Sequence, residues 1–129
     1  MAERSFPLNA WYAVAWRDEV RKDEVLARTV CDHRLALWRA GDGTLAALED
    51  ACWHRLMPLS HGRTEGDSLV CRYHGLAFDV SGRCVRMPSQ DKLNPKACVR
   101  SYPITEKHRL VWVWPGDAAA KPTPGGVSR

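Results

Sequence analysis

Apolar residues along this chain come in short runs set between polar ones, and no segment repeats with the 3.6-residue period of an amphipathic helix. Trp11-Tyr12-Ala13-Val14-Ala15-Trp16 is rich in aromatic and β-branched residues and predicts a buried strand. The charged stretch from Asp18 to Glu24 connects it to three further predicted strands, Val25 to Cys31, Leu35 to Arg39 and Thr44 to Glu49. Asp32-His33-Arg34 and Gly41-Asp42-Gly43 separate these runs, and an Asp-Gly step between apolar runs is a hairpin signal, so this part reads as a meander. After an irregular, Pro-bearing stretch from Cys52 to His61, Glu65-Gly66-Asp67 reads as a turn and Ser68 to Val70 as a short strand. Leu76 to Asp79 and Arg83 to Val85 flank Val80-Ser81-Gly82 as a hairpin, and Pro88 to Lys96 reads as a polar loop. Cys98 to Thr105 and Arg109 to Trp114 make a last hairpin that turns at Glu106-Lys107-His108. Strands recurring every 8–12 residues or so predict an all-β fold, an antiparallel sandwich or barrel.

Composition narrows this to a single domain, because 129 residues can bury a core without staples. No apolar run approaches the ~18 residues of a membrane span. The opening Met1-Ala2-Glu3-Arg4-Ser5 lacks the charged-then-apolar order of a secretory signal, so the expected location is the cytoplasm, with no membrane partner. Five Cys, an odd number at irregular spacing, argue against a disulfide framework. Cys31, Cys84 and Cys98 lie in apolar runs and are expected to be buried hydrophobes. The formal charge of +4, from 19 basic and 15 acidic residues, has no dense basic stripe behind it, which excludes a nucleic-acid binder. Beyond Pro115-Gly116-Asp117 the apolar patterning stops, so 118–129 is expected to be a disordered tail or the start of a linker.

The candidate chemistry lies between two strands. Cys52-Trp53-His54 and, after sixteen intervening residues, Cys71-Arg72-Tyr73-His74-Gly75 each offer one thiolate and one imidazole at the end of a predicted strand. Four such ligands suit zinc or an iron–sulfur cluster. A zinc finger usually draws a Cys pair from one segment and a His pair from a helix. Mixing one of each in both segments favours a Rieske [2Fe-2S] centre, in which two Cys hold one iron and two His hold the other. Cys52 and Cys71 then share one iron, and His54 and His74 face outward on the second. A zinc ion that only folds a binding module is the alternative.

The wider text resembles a known family. With C-x-H and C-x-x-H-G in place, Asn9-Ala10-Trp11-Tyr12, Ala47-Leu48-Glu49-Asp50, Arg55, Pro58-Leu59-Ser60 and Val111-Trp112-Val113-Trp114 are similar to the N-terminal part of Rieske non-haem iron oxygenases. The vanillate O-demethylase and toluenesulfonate methyl-monooxygenase group is the nearest in pattern, over roughly Phe6 to Asp117. Many members have Pro where this chain has Trp53. The resemblance implies a Rieske domain over 6–117, with a small cluster-binding subdomain, that transfers electrons. It also implies a ferredoxin-type reductase as donor, aromatic substrates for the whole oxygenase, a second domain or subunit with a mononuclear iron, and an oligomer. High-potential relatives carry two further Cys joined as a disulfide, with Ser and Tyr donors to the sulfurs. Met57, Tyr73, Leu76 and Phe78 stand at the matching positions, which implies a potential toward the lower end of the range of about −150 to +300 mV.

After the ligands are assigned, His33, His61 and His108 remain, far apart, and no facial triad for a mononuclear iron can be read from them. The expected function is therefore electron transfer as the N-terminal part of an oxygenase, with a free-standing Rieske ferredoxin as the alternative. His33 and His108 are expected to be exposed in turns, and His61 to lie near the first ligand loop. Most of the six Trp are expected in the core, with Trp53 placed to cover the cluster. Arg55, Arg63, Arg72, Arg83 and Arg86 lie in or beside the ligand loops, where positive charge would steer an acidic electron donor, diluted by Glu65 and Asp67.

Overall fold

A computed structural model describes residues 8–52, 57–72, 75–88 and 97–116. The expected all-β architecture is what it shows. Among the described residues ten strands form three antiparallel sheets, and the only helical pieces are two single 3₁₀ turns, Arg17–Glu19 and Leu59–His61.

The middle sheet is the meander of β2 (Leu26–Val30), β3 (His33–Arg39) and β4 (Leu45–Glu49). Four consecutive residues of β3, Leu35-Ala36-Leu37-Trp38, are buried, which a strand covered on one face cannot achieve. Successive side chains point to opposite faces, and the packing follows that alternation. Leu35 and Leu37, with Ala47 of β4, enter one apolar cluster, whereas Ala36 and Trp38, with Ala46 and Leu48, enter a second. The sheet β1-β10-β9 covers the first face, with β1 at Tyr12–Trp16, β9 at Ile104–Lys107 and β10 at Leu110–Val113. Val111 and Val113 of β10 and Ala15 of β1 fill that cluster. Against the second face lie Leu69, Phe78 and Cys84 of a sheet of four short strands, β5 (Arg63–Glu65), β6 (Ser68–Val70), β7 (Ala77–Phe78) and β8 (Cys84–Arg86), joined in that order.

Several expected boundaries move, each for a local reason. The turn expected at Asp32-His33-Arg34 is the two-residue step Cys31-Asp32, with φ of 49° and 64°, between the paired Val30 and His33. The turn expected at Glu106-Lys107-His108 is likewise His108-Arg109, with φ of 57° and 65°, between Lys107 and Leu110. Both are left-handed at two successive positions, the geometry that matches the twist of a tight hairpin. The strand expected from Cys98 to Thr105 is instead an extended crossing segment. Val99 N–H donates to the Gly82 carbonyl beside β8, Tyr102 N–H donates to the Ala47 carbonyl of β4, and only from Ile104 does the chain join β9. It changes partner twice in eight residues, so no single sheet claims it. β5 was not anticipated. The expected buried strand at Trp11 to Trp16 is only half covered, and Trp16 is 60% exposed.

Candidate metal centre

Cys52 and Cys71 are 3% and 0% exposed and belong to the same apolar cluster under the middle sheet, together with Leu59, Leu69, Leu76 and Phe78. The two loops they open are closed alike. Cys52 N–H donates to the Met57 carbonyl at 2.9 Å, and Cys71 N–H donates to the Leu76 carbonyl at 2.7 Å. Each cysteine therefore starts a loop whose base is pinned five residues on, and neither is in a disulfide.

The second loop has a simple origin. β6 and β7 pair at Val70 and Ala77, so Cys71 and Leu76 are the first residues beyond the paired strands. The first loop leaves β4 less directly and is braced from its flanks: the Asp50 carboxylate accepts from Ser60 N–H at 2.6 Å and from Ser60 Oγ–H at 2.7 Å. This joins the residue two before Cys52 to the 3₁₀ turn beyond the loop. Gly62 follows that turn, and a Cβ there would lie 2.0 Å from the Val70 carbonyl oxygen, so the backbones of the two loop bases approach as closely as glycine permits.

The other candidate side chains divide. His54 and His74, with Trp53, Arg55 and Tyr73, lie outside the described residues. The stretch read as the polar loop, Pro88 to Lys96, is described only at Pro88. His61 is exposed on the 3₁₀ turn, and His108 is exposed in its hairpin turn, as expected. His33 is not in a turn. It begins β3, half-buried, with Nδ1 3.1 Å from the Tyr102 hydroxyl. Of the cysteines expected to be buried, only Cys84 is; Cys31 is half-buried in its hairpin turn and Cys98 is exposed. Cys84 lies in the same cluster as Cys52 and Cys71, and its Sγ–H donates to the Arg86 carbonyl at 3.4 Å. Burial pushes the Cys84 thiol pKa up. Met57 is partly buried against this cluster, and Leu76 and Phe78 are buried in it, so these three positions offer only apolar contact. The Asp50–Ser60 brace and Gly62 are the site-building residues that sequence reasoning did not assign a role.

The donor set fits a Rieske cluster as far as it is described: two buried thiols, delivered by matched loops, with no disulfide competing for either. Comparison with known proteins agrees. The model of the Rieske [2Fe-2S] domain matches residues 10–103, and the chain belongs to that family. Its cofactor is a Rieske-type [2Fe-2S] cluster. The chain is 46% identical over 114 residues to the iron-sulfur subunit of a toluene-4-sulfonate monooxygenase system from Comamonas testosteroni, covering 88% of this chain and 33% of that protein. It is 44% identical over 124 residues to the oxygenase component of dicamba O-demethylase from Stenotrophomonas maltophilia, covering 95% and 36%. The crystal structure of dicamba monooxygenase bound to dicamba superposes with a TM-score of 0.89 at 44% identity, over 96% of this chain and 39% of that one. The chain thus spans about a third of the length of the curated relatives it matches. Among the described residues, no helix is long and apolar enough to cross a membrane.

Proposed function

We propose that this chain is the electron-transfer domain of an oxygenase component acting on aromatic compounds, with Cys52 and Cys71 as ligands of one iron and His54 and His74 as ligands of the other. The observation that carries the reading is the pair of matched loops, in which two buried thiols from separate segments enter one apolar cluster. When bound, the cluster supplies a one-electron carrier whose two neutral imidazole ligands make reduction easier than in an all-thiolate site. The residues of the chain do the rest. The loop-closing bonds at Cys52 and Cys71 fix the backbone from which the two thiols project, and Leu59, Leu69, Leu76 and Phe78 exclude water from the apolar cluster that they share with them.

The Rieske domain is taken to span 6–117, with 118–129 outside it. A ferredoxin-type reductase is the donor. The acceptor is a mononuclear iron held by another domain or subunit, in an oligomer. Among the described residues no two histidines lie in one site, and the reading assigns this chain electron transfer, with oxygen activation left to the mononuclear iron. These points rest on the relatives, whose names are those of monooxygenase and O-demethylase components and which are about three times as long. The test is metal and sulfide analysis with low-temperature electron paramagnetic resonance of the reduced protein. Two irons, two sulfides and a rhombic signal with average g below that of all-Cys clusters are expected; one zinc without acid-labile sulfide overturns the reading.

A further inference from the structure

Across the sheet β5 to β8 a single register row runs Arg63, Val70, Ala77, Arg86. Its two central residues are buried, and they are the neighbours of Cys71 and Leu76, the residues that close the second ligand loop. The two outer residues are arginines with half or more of their side chains exposed, on the same face as Glu65. Arg63 Nε donates to Glu65 Oε2 at 2.8 Å and Arg86 Nη2 donates to Glu65 Oε1 at 3.1 Å, so one carboxylate bridges two guanidinium groups across the root of that loop. Arg86, and then Arg63, hold the Glu65 carboxyl pKa below its usual value, so it stays ionised. The three side chains carry two positive charges and one negative one. Exposed ion pairs of this kind add little to stability. Their position and their unspent charge matter more. A guanidinium pair offers planar, two-pronged contacts to carboxylates, and among the described residues the Glu65 carboxylate is the one that both share. Arg72, which follows Cys71, and Arg83 are exposed as well and extend the positive field.

We propose that Arg63 and Arg86 form a docking shelf for an acidic, ferredoxin-type electron donor, and that Glu65 partly masks it by taking from within the place of a donor carboxylate. This rests on the electron-transfer reading above and adds to it the surface on which the donor docks and the carboxylate that masks it. A donor seated there lies against the base of the Cys71 loop, and Glu65 weakens the complex enough for it to part after the electron has passed.

The test is binding of an acidic plant-type [2Fe-2S] ferredoxin to the purified protein by calorimetry at low and high salt. Iron and sulfide are assayed in every preparation, and melting curves confirm folding. At low salt Arg63→Gln and Arg86→Gln should each weaken binding about fivefold, whereas Glu65→Gln should tighten it about threefold, as expected for single rim charges. Arg86→Lys keeps the charge without the fork and should fall between Arg86→Gln and the parent. All the differences should vanish near 0.5 M salt, where charges are screened within about 5 Å. Arg21→Gln, in the connection between β1 and β2, serves as the distant control and should change binding little. The proposal is overturned if Glu65→Gln weakens binding as the arginine variants do, or if Arg21→Gln has an equal effect. Zinc without sulfide in the parent protein would instead overturn the electron-transfer reading, independently of the charge pattern.

Discussion

The sheets on the two faces of β3 and β4 are held in different ways. On the side of β1, β9 and β10, long cationic side chains stitch the layers. Arg39 donates to the Val20 carbonyl at 2.7 Å, to the Gly43 carbonyl at 3.0 Å and to the Glu106 carboxylate at 2.9 Å. Arg28 donates to the Val14 carbonyl at 3.1 Å, and Arg100 donates to the Pro115 and Gly116 carbonyls at 2.7 and 3.1 Å. On the cysteine side, the four strands are only two or three residues long. Their ladder is short, and its apolar cluster contains two of the four proposed ligands, Cys52 and Cys71. The layer that carries the site thus has the smaller framework of its own, and a cluster held by Cys52 and Cys71 would complete it, since metal binding is coupled to folding.

The largest effect should come from removing a ligand. Cys71→Ser, and equally Cys52→Ser, is expected to abolish the cluster and to open the β5 to β8 sheet while β1, β9 and β10 hold. Hydrogen exchange is the direct measurement: amides of Leu69 and Phe78 should exchange on the order of 100-fold faster, and those of Val111 and Leu37 should change far less. Uniform acceleration through both layers would erase the comparison.

A matched pair of glycine variants sharpens it. A Cβ on Gly62 meets the Val70 carbonyl oxygen at 2.0 Å, and one on Gly116 meets Asn9 Oδ1 at 2.1 Å and the Leu8 backbone at 2.7 Å. Gly62→Ala and Gly116→Ala should each cost about 1–3 kcal/mol, the usual range for overpacking. Only Gly62→Ala should also lower the iron content of the purified protein, because Val70 precedes Cys71. Equal iron loss in both variants would mean that the two layers are not separately tied to the site.

How much of this was legible beforehand follows from the kind of signal each feature leaves. The β3 and β4 core could be read because Leu35 to Trp38 and Leu45 to Leu48 are continuous apolar runs between turn residues, and the Cys–His spacing could be read because ligand types leave few alternatives. Hairpins turning at Cys31-Asp32 and His108-Arg109 were misplaced because neither pair is the Asn-Gly or Asp-Gly that usually marks two left-handed residues. The crossing segment from Ala97 to Tyr102 has the apolar content of a strand, but its hydrogen bonds go to two different sheets, and composition does not encode partner choice. Asp50 and Ser60 stood in the resemblance as bare letters. Only the fold shows that one carboxylate takes both the amide and the hydroxyl of the other.

The smallest expected effect tests the arginine-stitched side alone. Tyr102 is buried in the cluster of Val111 and Val113, its hydroxyl 3.1 Å from His33 Nδ1 and its ring 4.4 Å from the Arg100 guanidinium carbon. Burial raises its pKa above the usual 10.0, and Glu49 adds to the rise while Arg100 opposes it. A folded pKa raised above the unfolded one gives stability that is fully present below about pH 10 and is lost as pH rises through the folded value. Tyr102→Phe removes that titration and the contact to His33. At pH 7.5 the variant should therefore melt slightly below the parent, by about 1 kcal/mol for one lost hydrogen bond. Above pH 10 the parent loses its advantage and the gap should close. Cys84, whose thiol pKa is also raised by burial, weakens both proteins alike at alkaline pH, so the difference between them isolates Tyr102. Melting curves from pH 7.5 to 11, read beside the visible absorbance of the cluster, are the measurement. A gap that stays constant across that range would show that the phenol does not titrate with folding, and cluster loss that follows the Tyr102 substitution would show that the two faces of the middle sheet are one cooperative unit.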